Sequence, residues 1–275
     1  MKNKLSVQVL ISTMHQSDYS LLEIMNIQTN AIVVNQCNEN KTRLLKLKDK
    51  KVLWIDTSER GLSRSRNMAM RNATGDICIL ADDDEEFCDG YGDIVKTAFS
   101  DHQFFSIIRF RIQGIEKKFK NYPSKEYSIG YIKSLKISSV ELAFRRKDVV
   151  TNGIFFDELI GSGTEFLMGE ENAFIYQCLL KKMKVLYVPK TLANLHIGNS
   201  SWFDGFNIDY FVGRGAAFTA MSKRMSKLLI LQFAIRKFNL YKNDIGFIAS
   251  IHYMMQGRKK YLSQKQGGRW DGRLK

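Results

Sequence analysis

Four apolar residues, Ile77-Cys78-Ile79-Leu80, pass through Ala81 into five consecutive acids, Asp82-Asp83-Asp84-Glu85-Glu86. Adjacent carboxylates repel one another and gain nothing from packing. A hard divalent cation removes that repulsion, and Mg²⁺ or Mn²⁺ takes one or two carboxylates together with phosphate oxygens. In an open parallel sheet, ligands bind beyond the carboxyl ends of the strands. A buried strand ending at Asp82 therefore sets its acids where a metal and a phosphorylated ligand would meet. The bland reading of the same residues is an acidic surface loop.

A phosphate-handling segment precedes the acids. In Glu59-Arg60-Gly61-Leu62-Ser63-Arg64-Ser65-Arg66-Asn67, Gly61 permits a tight turn and Ser63 is placed to cap the following helix. Arg60, Arg64 and Arg66 bring cations to a helix N-terminus, whose backbone N–H groups also favour anions. They equally fit a solvated helix face. A second constellation runs from Gly161 through Gly163 and Gly169 to Glu170 and Glu171, a glycine-rich loop delivering two carboxylates to a helix start. Alone, these glutamates read as favourable charge on a helix N-terminus. His196 follows a later strand. A lone histidine is more often structural than catalytic, and His15, His102 and His252 have less context still.

These residues need a scaffold, and the chain spells one out. Leu5 to Ile11, Ala31 to Val34, Val52 to Ile55 and Ile77 to Leu80 are short, apolar, strand-like runs. Helical sequence lies between them at Tyr19 to Ile27 and Leu62 to Ala73. Strands alternating with helices predict βαβ units and a mostly parallel sheet. Strand pattern returns at Phe104 to Ile112 and Val185 to Val188, with a helix over Glu170 to Lys182. Beyond about Tyr210, Leu228, Leu231, Ile235 and Phe238 recur at helical spacing, and Ile245 to Met255 is a second apolar segment. Gln264 to Lys275 is polar and glycine-containing and reads as a mobile tail.

Composition bounds the rest. The 275 residues suffice for one α/β domain with a helical appendage, and two prolines leave no proline-rich linker. The four cysteines lack CxxC spacing, which argues against zinc and for free thiols in a reducing compartment. No apolar run approaches the ~20 residues of a membrane-spanning helix. The start, Met1 to Leu5, leads into a strand without a signal-peptide pattern. The expectation is a cytoplasmic protein, peripheral on the inner face of the membrane if its tail binds lipid. From Arg214 onward there are 14 Lys/Arg against two acids, so most of the net +14 lies in this segment. Such asymmetry suits an anionic partner such as a membrane surface, a lipid diphosphate or nucleic acid, or else a merely solvated surface.

The run Gly61 to Phe87 resembles the core signature of family 2 glycosyltransferases with the GT-A fold: a Gly-Leu-Ser start, Arg66-Asn67, Gly75-Asp76, an apolar strand and the acidic triplet Asp82-Asp83-Asp84. The likeness extends over about Leu5 to Ser201. It implies an α/β, Rossmann-like mixed sheet of the nucleotide-diphospho-sugar transferase type. A catalytic domain would fill 1–210, with a nucleotide-sugar half over about 1–100 and an acceptor half over about 101–210. A basic helical region would fill 211–275. It further implies an inverting, metal-dependent transferase of the hexosyltransferase type, working in cell-surface polysaccharide synthesis. The donor would be a UDP-sugar, the acceptor a glycan or lipid-linked glycan, and the cofactor Mn²⁺ or Mg²⁺. By resemblance Glu171 takes the general base's place, with Glu170 as the alternate. Asp82, Asp83, Asp84 and His196 face the metal. Thr13, Asn35, Gln36, Arg60, Ser63, Arg66, Asn67 and Asp82 bind the nucleotide-sugar. Two strand ends depart from the family pattern: Ser12-Thr13-Met14-His15 where Pro-Thr-x-Asn is common, and Asn35-Gln36-Cys37-Asn38 where an aspartate usually contacts the base. An amide can pair with a pyrimidine edge. Two alternatives stay open, a Mg²⁺-dependent nucleotidyltransferase and a non-enzymatic nucleic-acid-binding protein. Against the second, no recognisable RNA- or DNA-binding motif occurs.

Overall fold

A computed structural model describes residues 5–198 and 205–267. Its strands are β1 (Val7–Met14), β2 (Asn30–Gln36), β3 (Lys41–Leu47), β4 (Lys50–Thr57), β5 (Ile77–Asp82), β6 (Glu85–Phe87), β7 (Ile107–Gly114), β8 (Tyr127–Ile129), β9 (Leu142–Arg145) and β10 (Val185–Leu195). Its helices are α1 (Leu21–Ile24), α2 (Leu62–Asn72), α3 (Tyr91–Asp101), α4 (Tyr131–Ser134), α5 (Arg146–Thr151), α6 (Glu170–Leu180), α7 (Ile208–Met221), α8 (Ser226–Tyr241) and α9 (Phe247–Gly267). The chain folds as two compact units, Met1–Phe156 with Cys178–Ser200, and Asp157–Gln177 with Ser201–Lys275.

The first unit is built on one ten-stranded mixed sheet in the order β3-β4-β2-β1-β5-β9-β7-β10-β6, with β8 pairing β10. The parallel block β4-β2-β1-β5 comes from the four apolar runs. These strands are buried on both faces, so they read as continuous Val/Ile/Leu sequence rather than as alternation. The core holds Val9, Ile11, Val33, Trp54 and Ile79 from those strands with Tyr91, Val95 and Phe99 from α3. β9 then enters antiparallel between β5 and β7 and makes the sheet mixed. β3 is an exposed edge strand whose Lys41, Arg43 and Lys46 discourage further pairing.

Several expected elements change in extent. The first helix shrinks from Tyr19–Ile27 to Leu21–Ile24, because Asn26 turns left-handed (φ 52°) and stops it. The helix from Glu170 ends at Leu180 rather than Lys182, where Lys182 also adopts positive φ. β7 begins at Ile107 rather than Phe104, whose ring is exposed. Expected tail residues 264–267 continue α9, and 268–275 lie outside the described residues.

In the second unit α7 and α9 cross in close contact. A Cβ on Gly215 would lie 1.9 Å from the Met254 carbonyl oxygen, and one on Gly257 1.9 Å from that of Val212. Tyr241 of α8 is fully buried, donates to the Ala234 carbonyl at 2.8 Å and packs edge-on to Phe211. Among the described residues no helix is long and apolar enough to cross a membrane.

Candidate active site

Parallel pairing aligns the carboxyl ends of β1, β2, β4 and β5. In register, Ser12 faces Asp82, Thr13 faces Asn35, and Asn35 faces Asp56. One rim of the sheet is therefore polar, although the strands behind it are apolar. β1 leaves this rim through His15, a non-glycine residue at φ 56° whose N–H donates to the Gln36 carbonyl at 3.1 Å. Such a left-handed residue costs about 1–2 kcal/mol and persists only where its surroundings hold it.

The acids sit at the centre of the rim. Asp82 ends β5, Asp83 and Asp84 form the turn, and Glu85 opens β6. Arg66 of α2, almost wholly buried, donates through Nη2 to both Asp82 oxygens, at 2.9 and 3.1 Å, and to Ser139 Oγ at 2.7 Å. Thr13 Oγ1 donates to Asp83 Oδ2 at 2.6 Å and accepts from Gln16 Nε2 at 2.9 Å. Glu85 accepts the Asp82 N–H at 2.8 Å. Burial, together with the neighbouring Asp82, holds the Glu85 carboxyl well above its ordinary range. Burial, then the charges of Asp82 and Asp83, push Asp84 up to about 6. Asp84 Oδ1 is buried with no hydrogen-bond partner among the described residues.

β6 pairs antiparallel with β10, setting Leu195 opposite Glu85. The next residue, His196, donates its backbone N–H to the Asp84 carbonyl at 3.0 Å. The fold thus brings the histidine to the acid turn. Its Nδ1 lies 3.0 Å from Glu116 Oε1, and the other Glu116 oxygen takes the Ile197 N–H at 2.6 Å.

A divalent cation fits this turn on chemical grounds. Asp84 offers a buried oxygen with unused lone pairs, in a carboxylate whose ionisation is suppressed by burial and then by like charge. Among the described residues no three His, Cys, Asp or Glu side chains are already gathered as a metal cage.

The other expected residues are placed as follows. Asn35 spends both amide protons on the Gln16 carbonyl and Asp56 Oδ1, and its oxygen accepts the Gln16 N–H. Gln36 Oε1 accepts the Gly61 N–H at 2.7 Å. That bond and φ 115° at Gly61 make the glycine the N-cap of α2, displacing Ser63, which lies buried within the first turn. Arg60 donates to the Cys37 carbonyl and to Asn38 Oδ1, both at 2.8 Å, bracing the loops after β2 and β4. Arg64 is exposed. Asn67 exchanges two hydrogen bonds with the Phe156 backbone, at 2.9 and 2.8 Å. Glu170 and Glu171 open α6 in the second unit, Glu170 buried and Glu171 half-buried.

Gln16, Asp56, Ser139 and Glu116 escape the sequence reading. Asp56 had a signal: it follows the apolar run Val52 to Ile55 just as Asp82 follows Ile77 to Ala81. Glu116 and Ser139 had none, since they lie in irregular sequence far from the residues they hold. A cavity of about 820 Å³, lined by Leu5, Asp76, Phe99, Arg145 and Arg146 among others, opens at the amino ends of β1 and β5, the wrong end of the strands for this rim.

Comparison with known proteins identifies the family and the fold. The profile of glycosyl transferase family 2 matches residues 16–155, which include α2 and the acid turn. No curated protein sequence matches the chain significantly. Among solved structures, S. aureus TarS residues 1–349 superposes with a TM-score of 0.61 at 13% identity, over 97% of this chain and 93% of that one. The same S. aureus fragment in complex with UDP-GlcNAc gives 0.60 at 13% identity, again over 97% and 93%. Full TarS gives 0.60 at 13% identity over 98% of this chain and 56% of its own length. At such identity these likenesses speak for the fold. With just over half of its length matched by the family profile and a mixed sheet of GT-A type, the chain belongs to glycosyl transferase family 2.

Proposed function

We propose that the protein transfers a sugar from a UDP-sugar to the hydroxyl of a glycan or lipid-linked glycan, with inversion, on the inner face of the cell membrane during cell-surface polysaccharide synthesis. The observation that carries this reading is the convergence of Thr13, Arg66, His196 and the Asp82–Asp84 turn on one rim of a sheet of this family. The UDP-GlcNAc and UDP complexes of TarS support uridine as the base.

Asp82, Asp83 and Asp84 would hold Mn²⁺ or Mg²⁺, which supplies positive charge for the leaving diphosphate. Arg66 orients Asp82 through its hydrogen bonds, and Thr13 orients Asp83. By its place in the family pattern the His196 imidazole, held from its Nδ1 side by Glu116, would offer its other nitrogen to the metal. By its place in the family pattern, Glu171 accepts the acceptor hydroxyl's proton as the new bond forms, with Glu170 as the alternate. Direct displacement by that hydroxyl inverts the anomeric centre.

Incubation of the purified chain with a panel of UDP-sugars and Mn²⁺ tests this. UDP release that rises on addition of a glycan acceptor is the expected result, with the product's anomeric configuration read by NMR. Pyrophosphate in place of UDP would make the protein a nucleotidyltransferase. Salt-sensitive oligonucleotide binding with no turnover of any donor would make it a nucleic-acid binder.

A further inference from the structure

In α8 one face is used by the fold. Ser226, Ile230, Ala234 and Tyr241 are buried, at spacings that keep them on one side of the helix. Leu228, Leu231 and Ile235 occur at i, i+3 and i+7 and form a second stripe, turned away from the first. They are 56%, 45% and 60% exposed. A contiguous exposed stripe of large aliphatic side chains is uncommon on a monomer unless something covers it.

The charges around the stripe identify its cover. Lys223, Arg224, Lys227, Arg236, Lys237 and Lys242 all lie in or beside α8 and all are exposed, while residues 222–243 contain no acid. An apolar stripe on a helix whose charged side chains are all cations matches an anionic bilayer, where aliphatic side chains enter the acyl boundary and lysine and arginine reach the phosphates. A second copy of the chain matches poorly, because a two-fold contact along this stripe would set like charges against one another.

We propose that α8 is an interfacial helix that docks the enzyme on anionic phospholipid, with Leu228, Leu231 and Ile235 inserted and Lys227 and Arg236 at the headgroups. This deepens the proposed function by naming the surface that would bring the enzyme to a lipid-linked acceptor. Its test needs no turnover.

Co-sedimentation of the full chain with phosphatidylglycerol-containing vesicles, and with pure phosphatidylcholine vesicles, tests the assignment. The wild type should bind the anionic vesicles at low salt, bind the neutral ones at least ~tenfold more weakly, and be released by high salt. L228S/L231S/I235S and, separately, K227E/R236E should each lower anionic-vesicle binding by ~tenfold or more. These positions are exposed, so both variants should keep the wild-type melting temperature. Variants that bind like the wild type, or a wild type that binds no vesicle or binds both kinds alike, would overturn the proposal. So would a wild-type dimer in sedimentation velocity that the apolar triple variant converts to monomer, because the stripe would then belong to a second copy. UDP release without vesicles reports on the transferase reading alone, and both variants should match the wild type in that assay.

Discussion

At the scale of single residues, the acid turn divides its labour. Asp82 is held by Arg66 and Asp83 by Thr13, whereas Asp84 is crowded by both carboxylates and keeps a buried oxygen unpaired among the described residues. Asp83 is exposed, so Asp83→Ala should shift stability by no more than ~0.5 kcal/mol. It should nevertheless reduce Mn²⁺-dependent UDP release to background. Full wild-type turnover in EDTA would remove the metal from the mechanism. The second residue-scale prediction concerns the base. Glu171→Gln keeps the shape of the side chain but cannot accept a proton, and should lower kcat by ~10²–10⁴-fold while donor affinity by calorimetry is unchanged. A dead Glu170→Gln beside an active Glu171→Gln would move the base one residue toward the N-terminus.

Between elements, the donor end of the sheet is held by polar contacts at strand ends. Asp56, ending its apolar run on β4, receives Trp54 Nε1 at 2.9 Å, Asn35 Nδ2 at 2.8 Å and an Arg43 Nη1 contact from β3. One carboxylate thus ties β2, β3 and β4 together. Burial alone would raise its pKa, but the hydrogen bonds from Asn35, Trp54 and Arg43 outweigh this and hold it below the ordinary carboxylate range. A depressed folded-state pKa contributes stability that is fully present above the unfolded value, near ~3.9, and is lost as pH falls through the folded value. Asp56→Ala should therefore cost ~1.5–3 kcal/mol in urea unfolding at neutral pH. The gap between variant and wild type should close as the pH drops below ~4. A gap independent of pH would mean that packing, not charge, is what Asp56 contributes.

For the whole molecule, the C-terminal helices belong to the same compact unit as the loop leading to Glu170 and Glu171. α9 grips that loop directly. The Tyr261 hydroxyl and Lys265 reach Asp157, while Lys260 and Gln264 reach Glu165. The grip depends on α9 lying close to α7, and that approach depends on Gly215 and Gly257. Gly257→Ala would place a methyl against the Val212 carbonyl, and the helices would have to separate. A loss of ~1–3 kcal/mol is expected in thermal unfolding, with kcat falling more than donor affinity if Glu171 is the base. An Ala variant as stable as the wild type would show that the crossing has slack.

The sequence by itself determined the parallel strands, because strands buried on both faces must be apolar throughout, and such runs stand out between helical segments. It also marked the acid turn, since five carboxylates after a buried strand have few other uses, and the start of α2. What tertiary structure decided was which of these features meet. His196 reaches Asp84 because β6 pairs with β10, a partnership between segments about a hundred residues apart that no local pattern encodes. Arg66 looked like a phosphate ligand from its place near a helix start, yet it is turned inward onto Asp82 and Ser139. β9 was illegible because a four-residue strand paired on both edges carries no periodicity of its own. In α8, helical spacing announced an apolar stripe, but Ile230 and Ala234 make another beside it. Only packing against the rest of the unit chose which stripe became core and left Leu228, Leu231 and Ile235 to solvent.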